Sequence, residues 1–81
     1  MKKRYVDGIV PSSSSRARME MAVQLKEARC GLHMTQQTLA DKAGTKKSNI
    51  SRMESGRYNP SLDFIVKVAD SLGKRVTIRL D

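Results

Sequence analysis

The sequence predicts an all-α fold of four to five short helices, followed by one C-terminal β-strand. Aliphatic residues recur every three or four positions in four segments, which is the period of a helix buried on one face. Glycine or proline separates consecutive segments, and apolar and polar residues alternate near the C-terminus, as in a strand. A chain of 81 residues that is 38% hydrophobic, with no tryptophan and one phenylalanine, can bury one small aliphatic core.

Residues 1–18 are expected to form a flexible basic arm. Gly8, Pro11 and the serines at 12–15 disfavour regular structure, and residues 1–20 carry five basic and two acidic side chains. A short apolar stretch in the arm fits a strand or a partner-binding segment, and it fits a disordered or non-native terminus equally well. It consists of Tyr5, Val6, Ile9 and Val10.

The domain of residues 19–73 opens with a helix predicted from Met19 to the region of Gly31 and His33. Its apolar stripe is Ala22, Leu25, Ala28 and Leu32. His33 is the single histidine, and we interpret it as a helix-end residue because it has no second histidine to act with.

The second helix is predicted to begin at Gln36 after the N-cap Thr35 and to stop at Gly44. Thr45 is expected to cap a third helix at residues 46 to about 55. The buried side chains of these two helices are Leu39, Ala40, Ala43, Ile50 and Met53.

The fourth helix is predicted from its N-cap Ser61 to about Leu72. Pro60 prevents continuity with the preceding helix, and Gly73 ends this one. The core stripe is Leu62, Ile65, Val68, Ala69 and Leu72.

Residues 74–81 change period and are predicted to form a strand used for dimerisation. Its apolar positions are Val76, Ile78 and Leu80. Because one strand cannot satisfy its own backbone groups, we expect antiparallel pairing with the same strand of a second copy. Pairing with residues 4–10 and a frayed tail are the alternatives.

The charge balance favours a polyanionic partner. The chain has 16 basic and 8 acidic residues and a net charge of +8, which suggests nucleic acid first, with a merely soluble basic protein as the plainer alternative. A second basic cluster lies in residues 45–59. The single cysteine, Cys30, excludes an internal disulfide and fits a reducing cytoplasm. No apolar run approaches the about 18 residues of a membrane span, so no membrane role is expected.

The third helix carries hydrogen-bonding side chains on its exposed face, namely Lys46, Lys47, Ser48, Asn49 and Arg52. The small residues of the turn Ala43-Gly44-Thr45 let two short helices cross closely and project the second one outward. The major groove of DNA admits such a helix, in which asparagine suits adenine and arginine or lysine suits guanine. A solvated polar face without a ligand is the alternative.

No pattern indicates catalysis. The sequence has no Cys/His cluster at metal-ligand spacing, no glycine-rich phosphate loop and no partner for the single histidine. We therefore expect no enzyme activity, no catalytic residue, no metal and no cofactor.

The stretch from Thr35 onward resembles the XRE family, the lambda-repressor/Cro type of helix-turn-helix protein. The matches cover about residues 19–73 and are Thr35-Gln36, Leu39-Ala40, Gly44, Ile50-Ser51, Glu54-Ser55-Gly56, Pro60 and Val68-Ala69-Asp70-Ser71-Leu72-Gly73. The resemblance implies a lambda-repressor-like domain that binds double-stranded DNA. A homodimer would bind an inverted-repeat operator, in the bacterial cytoplasm and on the nucleoid.

The resemblance also implies roles for individual residues. Base-reading residues would be Lys47, Ser48, Asn49 and Arg52. Phosphate contacts would come from Gln36, Thr45, Lys46, Arg57 and Tyr58, and Gln36 would also brace the recognition helix. Arg29 and Glu54 match a salt bridge between the first and third helices, which we interpret as structural.

Two positions depart from the family pattern. His33 stands where glycine is usual, and Phe64 stands where a small polar residue is common. An apolar Phe64 off the main stripe suggests a contact across a dimer interface, or else it folds against the loop before Pro60. The expected dimerisation residues are Phe64, Val76, Ile78 and Leu80.

Within the family, the chain most resembles HigA/HipB-type antitoxins, which have one such domain and a C-terminal strand. That resemblance implies an autorepressor with a small toxin protein as its partner, for which residues 5–10 are the candidate binding segment. A stand-alone repressor of a phage or metabolic operon is the alternative, with the basic arm on DNA. A protein-interaction module without DNA binding is disfavoured by the intact polar face at 46–52.

Overall fold

The structure, a computed structural model, describes residues 13–81 and contains four helices in that range. They are α1 (Ser13–Gly31), α2 (Gln36–Ala43), α3 (Lys47–Glu54) and α4 (Leu62–Ser71). Helix α2 packs against α3 and α4, and α1 packs against α3. The all-α prediction is confirmed, whereas the apolar stretch at residues 5–10 lies outside the described residues. None of these four helices has the length and hydropathy that crossing a bilayer requires.

The core is aliphatic and lies where the helices meet. Its buried residues are Ala22, Leu25, Leu39, Ala40, Ala43, Ile50, Met53, Val68, Ala69 and Leu72. The prediction that Leu32 and Leu62 belong to the buried stripes is wrong, because each side chain is 52% exposed. Leu32 follows the last residue of α1 and Leu62 is the first residue of α4, so both lie where the helix has left or not yet reached the core.

Helix α1 begins earlier than the sequence predicts. It starts at Ser13 instead of Met19, so residues 13–18 of the expected arm are helical. Serine costs only about 0.5 kcal/mol relative to alanine inside a helix, and Arg18 Nη2 donates to Ser15 Oγ at 3.2 Å. Because the C-terminal half of α1 packs on the core, extending it by a further turn needs no new nucleation.

Helices α1, α2 and α4 end in the same backbone arrangement. After α2, Gly44 adopts a left-handed conformation with φ of 68°, and the Thr45 N–H donates to the Ala40 carbonyl at 2.9 Å. This Schellman arrangement satisfies carbonyl groups that have no partner within the helix. Gly73 is the left-handed residue after α4, and His33, with φ of 55°, takes that place after α1.

The helix starts differ in their caps. Thr35 Oγ1 accepts a hydrogen bond from a first-turn N–H of α2 at 3.0 Å, and Ser61 Oγ does the same for α4 at 3.1 Å, as predicted. The predicted cap of α3 is wrong, because its N-cap residue is Lys46 and no side chain caps it. The Thr45 hydroxyl is engaged with a side chain of α3 instead.

Residues 74–81 do not form the predicted C-terminal strand. A strand needs a partner, and residues 13–81 contain no second strand. Val76 packs half-buried against the core, whereas Ile78 and Leu80 are 68% and 94% exposed. Phe64 is also half-buried and packs against the core. Two of the four expected dimerisation residues therefore contact their own chain.

Candidate nucleic-acid interface

Helix α3 has one buried and one exposed face. Ile50 and Met53 point into the core and are fully buried. Lys46 to Ser48 and Arg52 lie on the outside and are exposed. Gly44 lets the chain turn sharply after α2, so only residues 44–46 separate α2 from α3. The first turn of α3 then faces solvent.

A buried ion pair fixes the end of α3 to α1. Arg29 donates from Nε to Glu54 Oε2 at 2.7 Å and from Nη2 to Glu54 Oε1 at 3.0 Å. The two side chains are only 11% and 3% exposed. The hydrogen bond with Glu54 raises the pKa of Arg29, which favours the charged form of the guanidinium. These are the two residues that the family resemblance pairs.

Two further contacts complete the cluster around Glu54. Gln36 Nε2, from the first turn of α2, donates to Glu54 Oε1 at 3.0 Å. Arg29 Nη1 donates to the Met34 carbonyl at 2.7 Å. One carboxylate on α3 thus receives hydrogen bonds from both α1 and α2, and Gln36 braces α3 as expected. The Met34 contact was not predicted, because a backbone acceptor carries no signal in the residue type.

Asn49 is half-buried, unlike the exposed side chains before it. Its Nδ2 donates to Thr45 Oγ1 at 2.9 Å. The two residues are four apart, the spacing that brings side chains together on one side of a helix. Thr45 was predicted as the cap of α3 and as a phosphate contact, and this bond was missed, although two polar residues at that spacing were a usable signal.

The segment after α3 is organised around Arg52 and Ser55. The Arg52 guanidinium lies 5.7 Å from the centre of the Tyr58 ring, within the range of a cation–π contact. Ser55 Oγ donates to the Arg52 carbonyl at 2.6 Å and accepts from the Arg57 N–H at 3.2 Å. The exposed side chains of Arg57 and Tyr58 therefore lie beside the end of α3. The role of Ser55 was not predicted.

The electrostatics of this face favour an anion. Lys46 and Lys47 occupy the N-cap and first position of α3, where the helix dipole is already positive. Arg52 and Arg57 add positive charge at the other end. Together with the uncapped N–H groups of the first turn, these cations suit the phosphates of a nucleic acid backbone.

A metal site is not indicated in the part of the chain that the structure describes. Residues 13–81 contain no group of three or more His, Cys, Asp and Glu side chains that could hold an ion. What the described side chains can do is donate and accept hydrogen bonds and neutralise negative charge.

Comparison with known proteins gives one family and several relatives. The helix-turn-helix family model HTH_3 matches residues 25–78. A protein described as an uncharacterized helix-turn-helix-type transcriptional regulator of Archaeoglobus fulgidus is 41% identical over 49 residues, which are 60% of this chain and 69% of that protein. The immunity repressor protein of Bacillus phage phi105 is 37% identical over 59 residues, 73% of this chain and 41% of the repressor.

Two solved structures resemble the fold. A toxin–antitoxin module from Streptococcus pneumoniae superposes with a TM-score of 0.66 at 35% identity, over 82% of this chain and 72% of that one. An HTH_3 family transcriptional regulator from Vibrio cholerae gives a TM-score of 0.73 over 76% of this chain, which spans only 35% of the regulator. At 22% identity, the second likeness concerns the fold alone.

Proposed function

Because the chain belongs to the helix-turn-helix family HTH_3, we propose that it is a sequence-specific DNA-binding repressor whose α3 enters the major groove. The observation that carries this proposal is the two-sided character of α3. Its inner face is locked by Ile50, Met53 and the Glu54 ion pair, while its outer face offers cations and hydrogen-bonding groups. The relatives that are transcriptional regulators and an immunity repressor support it.

In this proposal the outer side chains of α3 contact the DNA bases and read their sequence. They are Lys47, Ser48, Asn49 and Arg52. Asparagine can bind adenine with two hydrogen bonds, and lysine or arginine can bind the O6 and N7 acceptors of guanine. Arg52 has its guanidinium over Tyr58, which limits the orientations it must give up on binding.

Phosphate contacts fall to the side chains that flank α3. Gln36, Lys46, Arg57 and Tyr58 lie at its two ends, and such contacts fix the register of a protein on DNA without reading bases. Gln36 uses one Nε2 hydrogen on Glu54 and keeps a second for a phosphate. Family resemblance would add Thr45, but its hydroxyl already accepts from Asn49, so we leave Thr45 out of the proposed phosphate contacts.

The repressor acts as a homodimer on an inverted repeat in this proposal. Ile78 and Leu80 of the C-terminal segment are exposed, and Ile78 lines a groove between α1 and α4 together with the exposed Leu62. A second copy can cover these side chains. Two recognition helices related by a two-fold axis then meet half-sites about one helical turn apart.

The biological role we propose is that of an antitoxin and autorepressor in a toxin–antitoxin pair. The resemblance to a solved toxin–antitoxin module at 35% identity supports it. A stand-alone repressor is the second candidate, favoured by the likeness to a phage immunity repressor. Either protein would work in the cytoplasm, on the nucleoid. A small protein that copurifies in equal amount after nuclease treatment indicates the antitoxin, and recovery of the protein alone indicates the stand-alone repressor.

Binding-site selection from a random duplex library tests the DNA-binding function. We expect the wild type to enrich an inverted repeat. On that site Arg52→Ala should cost about 1–3 kcal/mol with little effect on random DNA, whereas Lys46→Ala should weaken binding to all sequences and lower the salt slope by about one. Lys26→Ala, at an exposed position of α1, is the matched control. A pool that stays random after selection contradicts the proposal.

A further inference from the structure

We infer that Thr45 is a specificity-positioning residue that orients the Asn49 amide for contact with an adenine in the major groove. The inference rests on the DNA-binding function proposed for α3. It differs from the phosphate role that family resemblance gives Thr45, because here the threonine acts on the bases through another side chain.

The Thr45 hydroxyl is a fixed acceptor. The Thr45 N–H donates to the Ala40 carbonyl at 2.9 Å, so the backbone of the threonine is attached to the end of α2. Gly44 makes this bond possible through its left-handed conformation. A β-branched side chain has few allowed rotamers, and Thr45 is half-buried. Its Oγ1 therefore stands at a defined place, one turn before Asn49.

The hydrogen bond from Asn49 Nδ2 to Thr45 Oγ1, at 2.9 Å, fixes which end of the amide faces which way. An amide nitrogen carries two hydrogens. For this role Thr45 must accept the hydrogen trans to Oδ1, which leaves the second hydrogen and the Oδ1 acceptor side by side. That pair is the complement of adenine, which offers N7 as acceptor and N6–H as donor. Without Thr45, the χ2 angle of asparagine is broad, and the two ends can exchange places.

This hydrogen bond orders the Asn49 side chain before DNA binds. Lys47 and Ser48 are exposed, whereas Asn49 is half-buried against Thr45 in the DNA-free protein. Rotamer freedom that is already lost does not have to be lost when DNA binds. Removal of the Thr45 acceptor should therefore reduce affinity for the cognate site and discrimination at the adenine, and should leave non-specific binding unchanged.

Three variants isolate the hydroxyl. Thr45→Val keeps the shape and removes the acceptor, Thr45→Ser keeps the acceptor, and Asn49→Ala removes the side chain that Thr45 is inferred to hold. In the DNA-free protein, NMR of the Asn49 side-chain NH2 should show slower hydrogen exchange in the wild type and Thr45→Ser than in Thr45→Val. Melting temperatures establish that each variant is folded.

Affinities are then measured by fluorescence anisotropy on the selected site, on versions with single base pairs exchanged, and on random duplex. We expect Thr45→Val to bind the selected site about two- to tenfold more weakly, the net worth of one hydrogen bond. Random DNA should be bound equally, and discrimination should fall at one A·T pair. Thr45→Ser should resemble the wild type, and Thr45→Val combined with Asn49→Ala should match Asn49→Ala alone.

Several results overturn the inference. Equal weakening on selected and random DNA would make Thr45 a phosphate contact. Additive losses in the double variant would make the two side chains independent. If NH2 exchange in Thr45→Val equals that of the wild type, the hydrogen bond between Thr45 and Asn49 does not form in solution, and the proposed DNA-binding function is unaffected. A wild type that selects no site would contradict both the inference and the proposed function.

Discussion

At the scale of single residues, Glu54 connects three helices. It accepts hydrogen bonds from Arg29 of α1 and Gln36 of α2 while it stands on α3. We expect Glu54→Gln to lower the free energy of unfolding by about 3 kcal/mol or more, because Arg29 would become a buried charge without its counter-ion. Urea denaturation followed by circular dichroism measures the change.

The control for Glu54 removes both charges at once. Arg29→Met combined with Glu54→Leu leaves no unpaired ion, so it should destabilise the protein less than Glu54→Gln alone. A loss below about 1 kcal/mol in the single variant, the size typical of an exposed pair, would contradict the buried character of this cluster.

His33 holds a backbone conformation that suits glycine. Its φ is 55°, in the position that Gly44 and Gly73 occupy after their own helices. A side chain in this region costs about 1–2 kcal/mol, and glycine loses part of that advantage through its freer unfolded state. We therefore expect His33→Gly to stabilise the protein by about 0.5–1 kcal/mol, measured by thermal denaturation.

The converse variant tests the same reasoning. Gly73→Ala introduces a Cβ that meets no other atom within 4 Å, so any loss must come from the backbone conformation. It should destabilise the protein by about 1 kcal/mol. If both variants melt like the wild type, the left-handed residues do not limit stability.

Some residue roles could be predicted and others could not. The family resemblance paired Arg29 with Glu54, since charge alone cannot choose one pair among 16 basic and 8 acidic residues. The Thr45 hydroxyl can reach several partners at a helix start, so the four-residue spacing to Asn49 permits their hydrogen bond without excluding a cap on α3. Thr45 bonds the Asn49 side chain and leaves the helix start uncapped.

At the scale of elements, the start of α3 lacks a stabilising cap. Its N-cap is Lys46, with no side-chain acceptor. We expect Lys46→Ser to stabilise the protein by about 1 kcal/mol, because serine can accept a first-turn N–H. It should also weaken binding to every DNA sequence, because it removes the phosphate contact that we propose for Lys46. Thermal denaturation and anisotropy over a salt series measure the two effects.

Lys46→Ala separates charge from capping. It removes the same cation without supplying an acceptor, so DNA binding should fall as in Lys46→Ser while the melting temperature should not rise. Equal stabilisation in both variants would assign the gain to relief of charge at the helix start rather than to the cap.

Element boundaries were predictable where a glycine sets them. Helices α2 and α4 end at the predicted glycines, because a glycine with positive φ interrupts the helix whatever lies around it. The start of α1 was missed because the apolar stripe begins only where the helix meets the core. The prediction of a C-terminal strand was wrong for another reason. A strand needs a second segment to pair with, and the alternation of apolar and polar residues at 76–80 does not show whether such a segment exists.

At the scale of the whole molecule, the exposed apolar side chains predict association. Ile78 is 68% exposed in a groove that it shares with Leu62. We expect the wild type to sediment as the proposed homodimer and Ile78→Asp to sediment as a monomer at the same concentration, since the new charge would be buried in the proposed interface. Its own fold should be unaffected, because the residue is largely in solvent. Analytical ultracentrifugation makes the measurement.

The matched control places the same charge on another exposed apolar residue. Leu32 is 52% exposed at the end of α1, so Leu32→Asp should remain dimeric. A wild type that sediments as a monomer at all accessible concentrations would contradict the proposed homodimer and, with it, the expectation of an inverted repeat.

The net charge of +8 predicted a polyanionic partner, but it carries no information on how many copies of the chain associate.

The two-sided structure of α3 also bears on how relatives of this protein can diverge. The inner residues Ile50, Met53 and Glu54 are committed to the fold, whereas Lys47, Ser48 and Arg52 are exposed. If the proposed readout holds, exchange of the latter three would alter which operator is bound at little cost in folding, so duplicated copies could acquire separate regulons through a few surface changes. Asn49 is the exception, because its replacement leaves Thr45 without its partner, and that pair is expected to change together.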